Sequence, residues 1–166
     1  MNNYILKYLA LLPFYVLLQI LILNEVLFSS YINPFLYIIL IISLPLKTPK
    51  WFLLIYAFLL GFLIDLLSAN LGFHSTATVL VAFIKPFISK LIIPYNILAE
   101  SDEITLRKIG TKAFFTFALF IILIHNSCLF IISHLDLNTA VFTKIIASSI
   151  ITLLLVLITQ LFQKAK

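Results

Sequence analysis

Six long apolar runs, joined by short polar links, fill almost the whole of this 166-residue chain. Inside a bilayer every backbone N–H and C=O must find its partner within the protein, so runs of this kind are predicted to be helices. A spanning helix needs about 20 mostly apolar residues. The runs are Ile5–Leu27, Tyr31–Leu46, Trp51–Ser68, Phe73–Leu98, Ala113–Ser133 and Val141–Phe162. They predict an all-α membrane protein, a six-helix transmembrane bundle forming one polytopic domain over residues 1–166. At 63% hydrophobic and 10% charged, the composition lies far outside the soluble range.

Two runs are irregular. Tyr31–Leu46 would reach about 24 Å as a helix, short of a hydrocarbon core of about 30 Å. It is expected to stand in a thinned bilayer, to borrow Ser29-Ser30, or to re-enter. The fourth run is broken by Lys85-Pro86, and Pro86 is expected to bend the helix near Ala82–Phe83. The first run is longer than the core of a signal peptide and no small-residue cleavage site follows, so it reads as a retained helix.

The net charge of +5 sits in the links. Lys7, the Lys47–Lys50 link, the Arg107–Lys112 link and the C-terminal Lys164 and Lys166 fall on one side; the other links hold only Lys144. The positive-inside rule then places both termini in the cytoplasm. Cations in this arrangement form no basic stripe, which argues against nucleic acid as a partner. Glu100–Lys112 becomes a cytoplasmic loop, either solvated, a short amphipathic turn or a partner contact. The single Cys128 permits no internal disulfide.

Polar side chains inside the runs carry the functional signal. Asp65 interrupts the third run, and a carboxylate at membrane depth costs at least a few kcal/mol, so it is rarely idle. Counting helical rise, Asp65 and Gln19 lie about 21 Å above the inner boundary, His125 about 18 Å, and Ser148-Ser149 about 20 Å. Asn126 follows His125. Four helices thus bring polar groups to one layer in the outer half of the bilayer. That layer is either interhelical hydrogen-bond glue or the floor of an outward-facing groove. Ala57, Gly61, Asp65 and Ser68 share one face of the third helix, where small residues admit a close neighbour. Lys85 lies too deep to reach Asp65 and is expected to snorkel towards the cytoplasm with Lys90. Gly72 supports a tight outer turn, and His74 beside it reads as a capping or turn residue, with no second ligand at metal-binding spacing. Glu25 reads as an interfacial charge.

Motifs of catalysis are missing. No H-E-x-x-H, G-x-S-x-G or phosphate-cradling glycine loop occurs, and Asp65 is the one acid deep in the apolar runs. No run of polar residues lines a full crossing, as a channel needs. The expectation is a non-enzymatic protein with no catalytic residues, no metal and no cofactor.

The stretch Leu59–Thr78, L-L-G-F-L-I-D-L-L-S-A-N-L-G-F-H-S-T-A-T, resembles the rod shape-determining membrane protein family MreD. That family carries G-x-x-x-D-x-x-S followed by G-x-H between two transmembrane helices, matched here by Gly61, Asp65, Ser68, Gly72 and His74. Ala82–Phe87, with its Lys85-Pro86, Leu17–Asn24 and Pro34–Tyr37 are also similar. The resemblance implies a multi-pass protein of the bacterial inner membrane that serves lateral peptidoglycan synthesis and rod shape. It implies MreC as partner, and through it MreB, RodA and a penicillin-binding transpeptidase. It further implies a fold similar to the substrate-binding subunit of energy-coupling-factor transporters. A vitamin- or lipid-binding subunit of that transporter type is the rival reading. Gly61, Asp65, Ser68, Gln19, His125 and Asn126 are the expected partner-binding or intramembrane polar network. Gly72, His74, Lys85 and Pro86 are the expected turn and kink.

Overall fold

A computed structural model describes residues 3–25, 32–70, 72–95, 97, 103–134 and 138–162. Among the described residues, five helical spans are long and apolar enough to cross a membrane: Tyr4–Leu23, Lys50–Leu67, Phe73–Ile92, Thr111–His134 and Thr139–Phe162. The described residues are therefore those of an all-helical, multi-pass membrane protein. In chain order the helices are α1 (Asn3–Leu18), α2 (Ile38–Ser43), α3 (Lys50–Leu67), α4 (Phe73–Ile92), α5 (Leu106–Ile109), α6 (Thr111–His134) and α7 (Thr139–Phe162). Val26–Leu27, Tyr31, Leu98, Ser29-Ser30, Glu100–Asp102, Lys164 and Lys166, which the sequence reading used, lie outside the described residues.

The second apolar run departs from the expected helix over Tyr31–Leu46. Only the six residues of α2 are helical, after a non-helical stretch from Asn33. Two prolines set these limits. Pro34 has no N–H and keeps Asn33 out of the helical region, while Pro45 turns Leu44 to φ −55°, ψ 136° and stops the helix. Every residue from Pro34 to Leu44 is buried. Hydrogen bonds tie this segment to four of the long helices, α1, α4, α6 and α7.

Its direction is fixed by hydrogen bonds. Pro34 O accepts from Gln19 Nε2 at 2.8 Å, while Ser43 O accepts from the Tyr8 hydroxyl at 2.8 Å. The segment thus runs antiparallel to α1 and links its two ends. Gln160, near the end of α7, also reaches Ser43, through Nε2 to Oγ at 3.4 Å. The start of α1 and the end of α7 therefore lie at the same end of the bundle.

Non-helical backbone at membrane depth survives only where protein satisfies it. Here Ser148 Oγ accepts from Asn33 N at 3.1 Å and Thr152 Oγ1 from Phe35 N at 3.0 Å. Both hydroxyls come from α7. On α1, the helix widens into a π-helical turn over Gln19–Leu23, with Asn24 N on Gln19 O at 2.8 Å. That turn carries Gln19 to the non-helical stretch.

Two further expectations change. The fourth helix ends at Ile92, six residues early, because Pro94 holds Ile93 extended at φ −93°, ψ 127°. It runs unbroken through Pro86. The link before the fifth long apolar run includes the short α5, and Ile104 beside it is fully buried. Glu103 there pairs with Lys7 through both carboxylate oxygens at 2.9 Å.

Candidate functional site: a buried polar chain around the central segment

The joint between α3 and α4 is built from the motif residues. Gly61 is the point of closest approach: a Cβ there would collide with Ser75 Cα and Thr78 Oγ1, and would lie 2.6 Å from Ser75 N. Thr78 Oγ1 donates to Ala57 O at 2.8 Å, tying the two helices at this contact. The small-residue face of the third helix is thus covered by the chain's own fourth helix and is not a free docking surface.

Gly72, at φ 89°, turns the chain between the two helices in a conformation that glycine adopts without a Cβ penalty. The turn brings the start of α4 back over Asp65. Oδ1 accepts from His74 N at 3.0 Å and Oδ2 from Ser75 N at 2.8 Å; Ser75 Oγ donates to Oδ2 as well. The first turn of a helix has amide donors with no intrahelical partner and carries the positive end of its dipole. Asp65, only 3% exposed, supplies from a neighbouring helix what an N-cap side chain supplies locally.

His74 continues the polar chain. Its Nδ1 lies 2.7 Å from the Tyr37 hydroxyl, which lies 2.9 Å from His125 Nε2. His125 Nδ1 meets Asn126 Oδ1 at 2.9 Å, and Asn126 Nδ2 donates to Ser149 Oγ at 3.0 Å. The chemistry of the groups gives a direction. The amide oxygen of Asn126 only accepts, so His125 carries a proton on Nδ1. With its ring neutral, Nε2 accepts from Tyr37, whose oxygen is then free to accept from His74 Nδ1. Phe35 packs edge-on against both imidazoles, with ring centroids 5.7 Å from each. The result is a satisfied hydrogen-bond chain linking α4, the central segment, α6 and α7.

Gln19 and Ser68 belong to a side branch. Gln19 Nε2 donates to Asn24 Oδ1 at 2.9 Å, and Asn24 Nδ2 donates to Ser68 Oγ at 3.3 Å. The branch holds the C-terminal end of α1 to that of α3.

Lys85 does not snorkel. It is 1% exposed, and its Nζ donates to Ile41 O at 2.7 Å and to Leu44 O. Carbonyls freed where α2 stops lie within reach of its side chain and take Nζ instead. Pro86 follows inside a continuous helix.

Tyr37, Ser75, Thr78 and Thr152 escaped sequence reasoning. Tyr37 was masked by its apolar run, although a phenol usually finds a partner when buried. The hydroxyls of α7 were visible only as small polar residues. Among the described residues no cluster of His, Cys, Asp or Glu is arranged to hold a metal ion. Comparison with protein-family models, with curated proteins and with solved structures yields no match.

Proposed function

We propose that this chain is a non-enzymatic scaffold of the bacterial inner membrane, acting as an MreD-type subunit of the machinery for lateral peptidoglycan synthesis and cell elongation. Both termini face the cytoplasm, and its direct partner is MreC. The observation that carries this reading is the convergence of Gly61, Asp65, Gly72 and His74 on one joint, with Ser68 tying that joint to α1. These are the residues of the MreD-like motif, and here each one builds structure. A motif of this kind suits a protein whose task is to present a fixed surface.

The partner surface we favour faces lipid. A groove between α3 and α4 is lined by Leu54, Phe58, Val79, Leu80 and Phe83, with Thr76 at one end. A single transmembrane helix of MreC would lie along it, through apolar and small-residue packing of the kind that drives helix association in bilayers.

The test is an affinity pull-down of the tagged chain from native membranes in mild detergent, with partners identified by mass spectrometry. MreC and a penicillin-binding transpeptidase are the expected catch. A Val79→Trp variant, which fills the groove, should lose MreC while keeping its melting temperature. Recovery of ATP-binding-cassette ATPases with a coupling subunit would overturn the scaffold reading in favour of a vitamin- or lipid-binding transporter subunit.

A further inference from the structure

The inner end of α2 poses a problem that Lys85 solves. A helix leaves its last carbonyls without intrahelical partners and concentrates partial negative charge there. In α2 this end is buried, its residues offer no capping side chain, and Pro45 supplies no N–H. Ser43 O is satisfied twice, by the Tyr8 hydroxyl at 2.8 Å and by Ile104 N at 3.3 Å. Ile41 O and Leu44 O converge instead on one point, and Lys85 Nζ occupies it. Among the described residues no carboxylate stands within ion-pair distance of that nitrogen.

Converging carbonyls at the end of a broken helix, deep in a membrane, are the ligand set by which membrane proteins hold small monovalent cations. We propose that the Ile41–Leu44 carbonyl cradle is such a cation site, and that this chain fills it permanently with its own Lys85 ammonium. The tether fixes the height of the central segment against α4 and leaves no room for a free ion. The ligand class is a small monovalent cation able to donate to, or be coordinated by, two carbonyl oxygens. This inference stands apart from any partner of the protein.

Trimming the tether should reopen the site. Lys85→Ala leaves space for a free cation, whereas Lys85→Met keeps the stem and fills the space without charge. Each variant and the parent are extracted in mild detergent in either methylammonium chloride or choline chloride, the latter too bulky to enter. The monodisperse yield and the melting temperature are read for all three. In methylammonium, Lys85→Ala should melt about 4 °C higher or be recovered in several-fold greater yield, with saturation as concentration rises. The parent and Lys85→Met should not respond. An equal result for Lys85→Ala in both salts, by yield and by melting, would overturn the proposal. So would an equal gain by the parent, or a Lys85→Met variant as stable as the parent in choline.

Discussion

Asp65 and Ser75 meet twice, carboxylate to amide and carboxylate to hydroxyl, although one ends a helix and the other begins the next. The backbone contact extends to His74, so removing the carboxyl group frees two helix-terminal amides while removing the serine hydroxyl frees none. Hydrogen bonds to a charged group contribute about 1.5–3 kcal/mol and a neutral one about 1. Asp65→Ala should cost about 2–3 kcal/mol, lowering the melting temperature in detergent by about 4–12 °C. Ser75→Ala, which removes one bond to the same carboxylate, should cost about 1.5 kcal/mol. Equal losses would show that the amides are not what Asp65 holds.

Tyr37 should be the most sensitive member of the polar chain. It is fully buried and serves two imidazoles at once. Tyr37→Phe leaves both rings facing a C–H, at a cost of about 1–3 kcal/mol. Combined with His125→Ala, the losses should fall short of additivity by at least about 0.5 kcal/mol, because the second change removes a partner already lost. A thermal or denaturant double-mutant cycle measures this directly, and strict additivity would break the chain at that link.

Gly61→Ala sets two effects against each other. Alanine is the better helix former by about 1 kcal/mol. Its Cβ, however, would meet backbone atoms of Ser75, which cannot rotate away as a side chain can. Overpacking of this kind costs about 1–3 kcal/mol. A net loss of up to about 2 kcal/mol is expected by melting, and a stabilised variant would mean that α3 and α4 separate easily.

The Lys7–Glu103 pair should matter little to stability. Lys7 is 49% exposed, and exposed ion pairs contribute about 0.2–1 kcal/mol. Lys7→Ala should cost less than about 1 kcal/mol, and the loss should fade in 1 M salt. A larger, salt-insensitive loss would mean that the pair fastens the loop that caps Ser43.

The sequence discloses the long helices and the polar layer because hydropathy and helical rise are local quantities. His125, Asn126 and Ser149, placed near one depth by residue counting, do form a continuous bonded row. Gln19, at the same depth, falls instead on a side branch with Asn24 and Ser68. What pattern reading lost was the second apolar run. Hydropathy weighed its side chains, while Pro34 and Pro45 decided its backbone. Lys85 departs from the snorkelling expectation because counting depth from Asp65 does not register backbone acceptors, and the carbonyls of Ile41 and Leu44 are within its reach. Asp65 was legible as unusual but not as a cap, since the glycine turn that folds α4 back onto it acts over nine residues.

The central segment also dictates an order of assembly. Asn33 N donates its hydrogen bond to a serine 115 residues later in the chain, and Phe35 N to a threonine 117 residues later. Ribosomes add about 5–20 residues per second, so these amides wait roughly 6–23 s for their partners to be made. Throughout that interval a non-helical stretch of backbone has neither a lipid-compatible fold nor its final neighbours. Biogenesis of this protein therefore needs a sheltered, partly hydrated place for its second segment, held open until the last helix arrives.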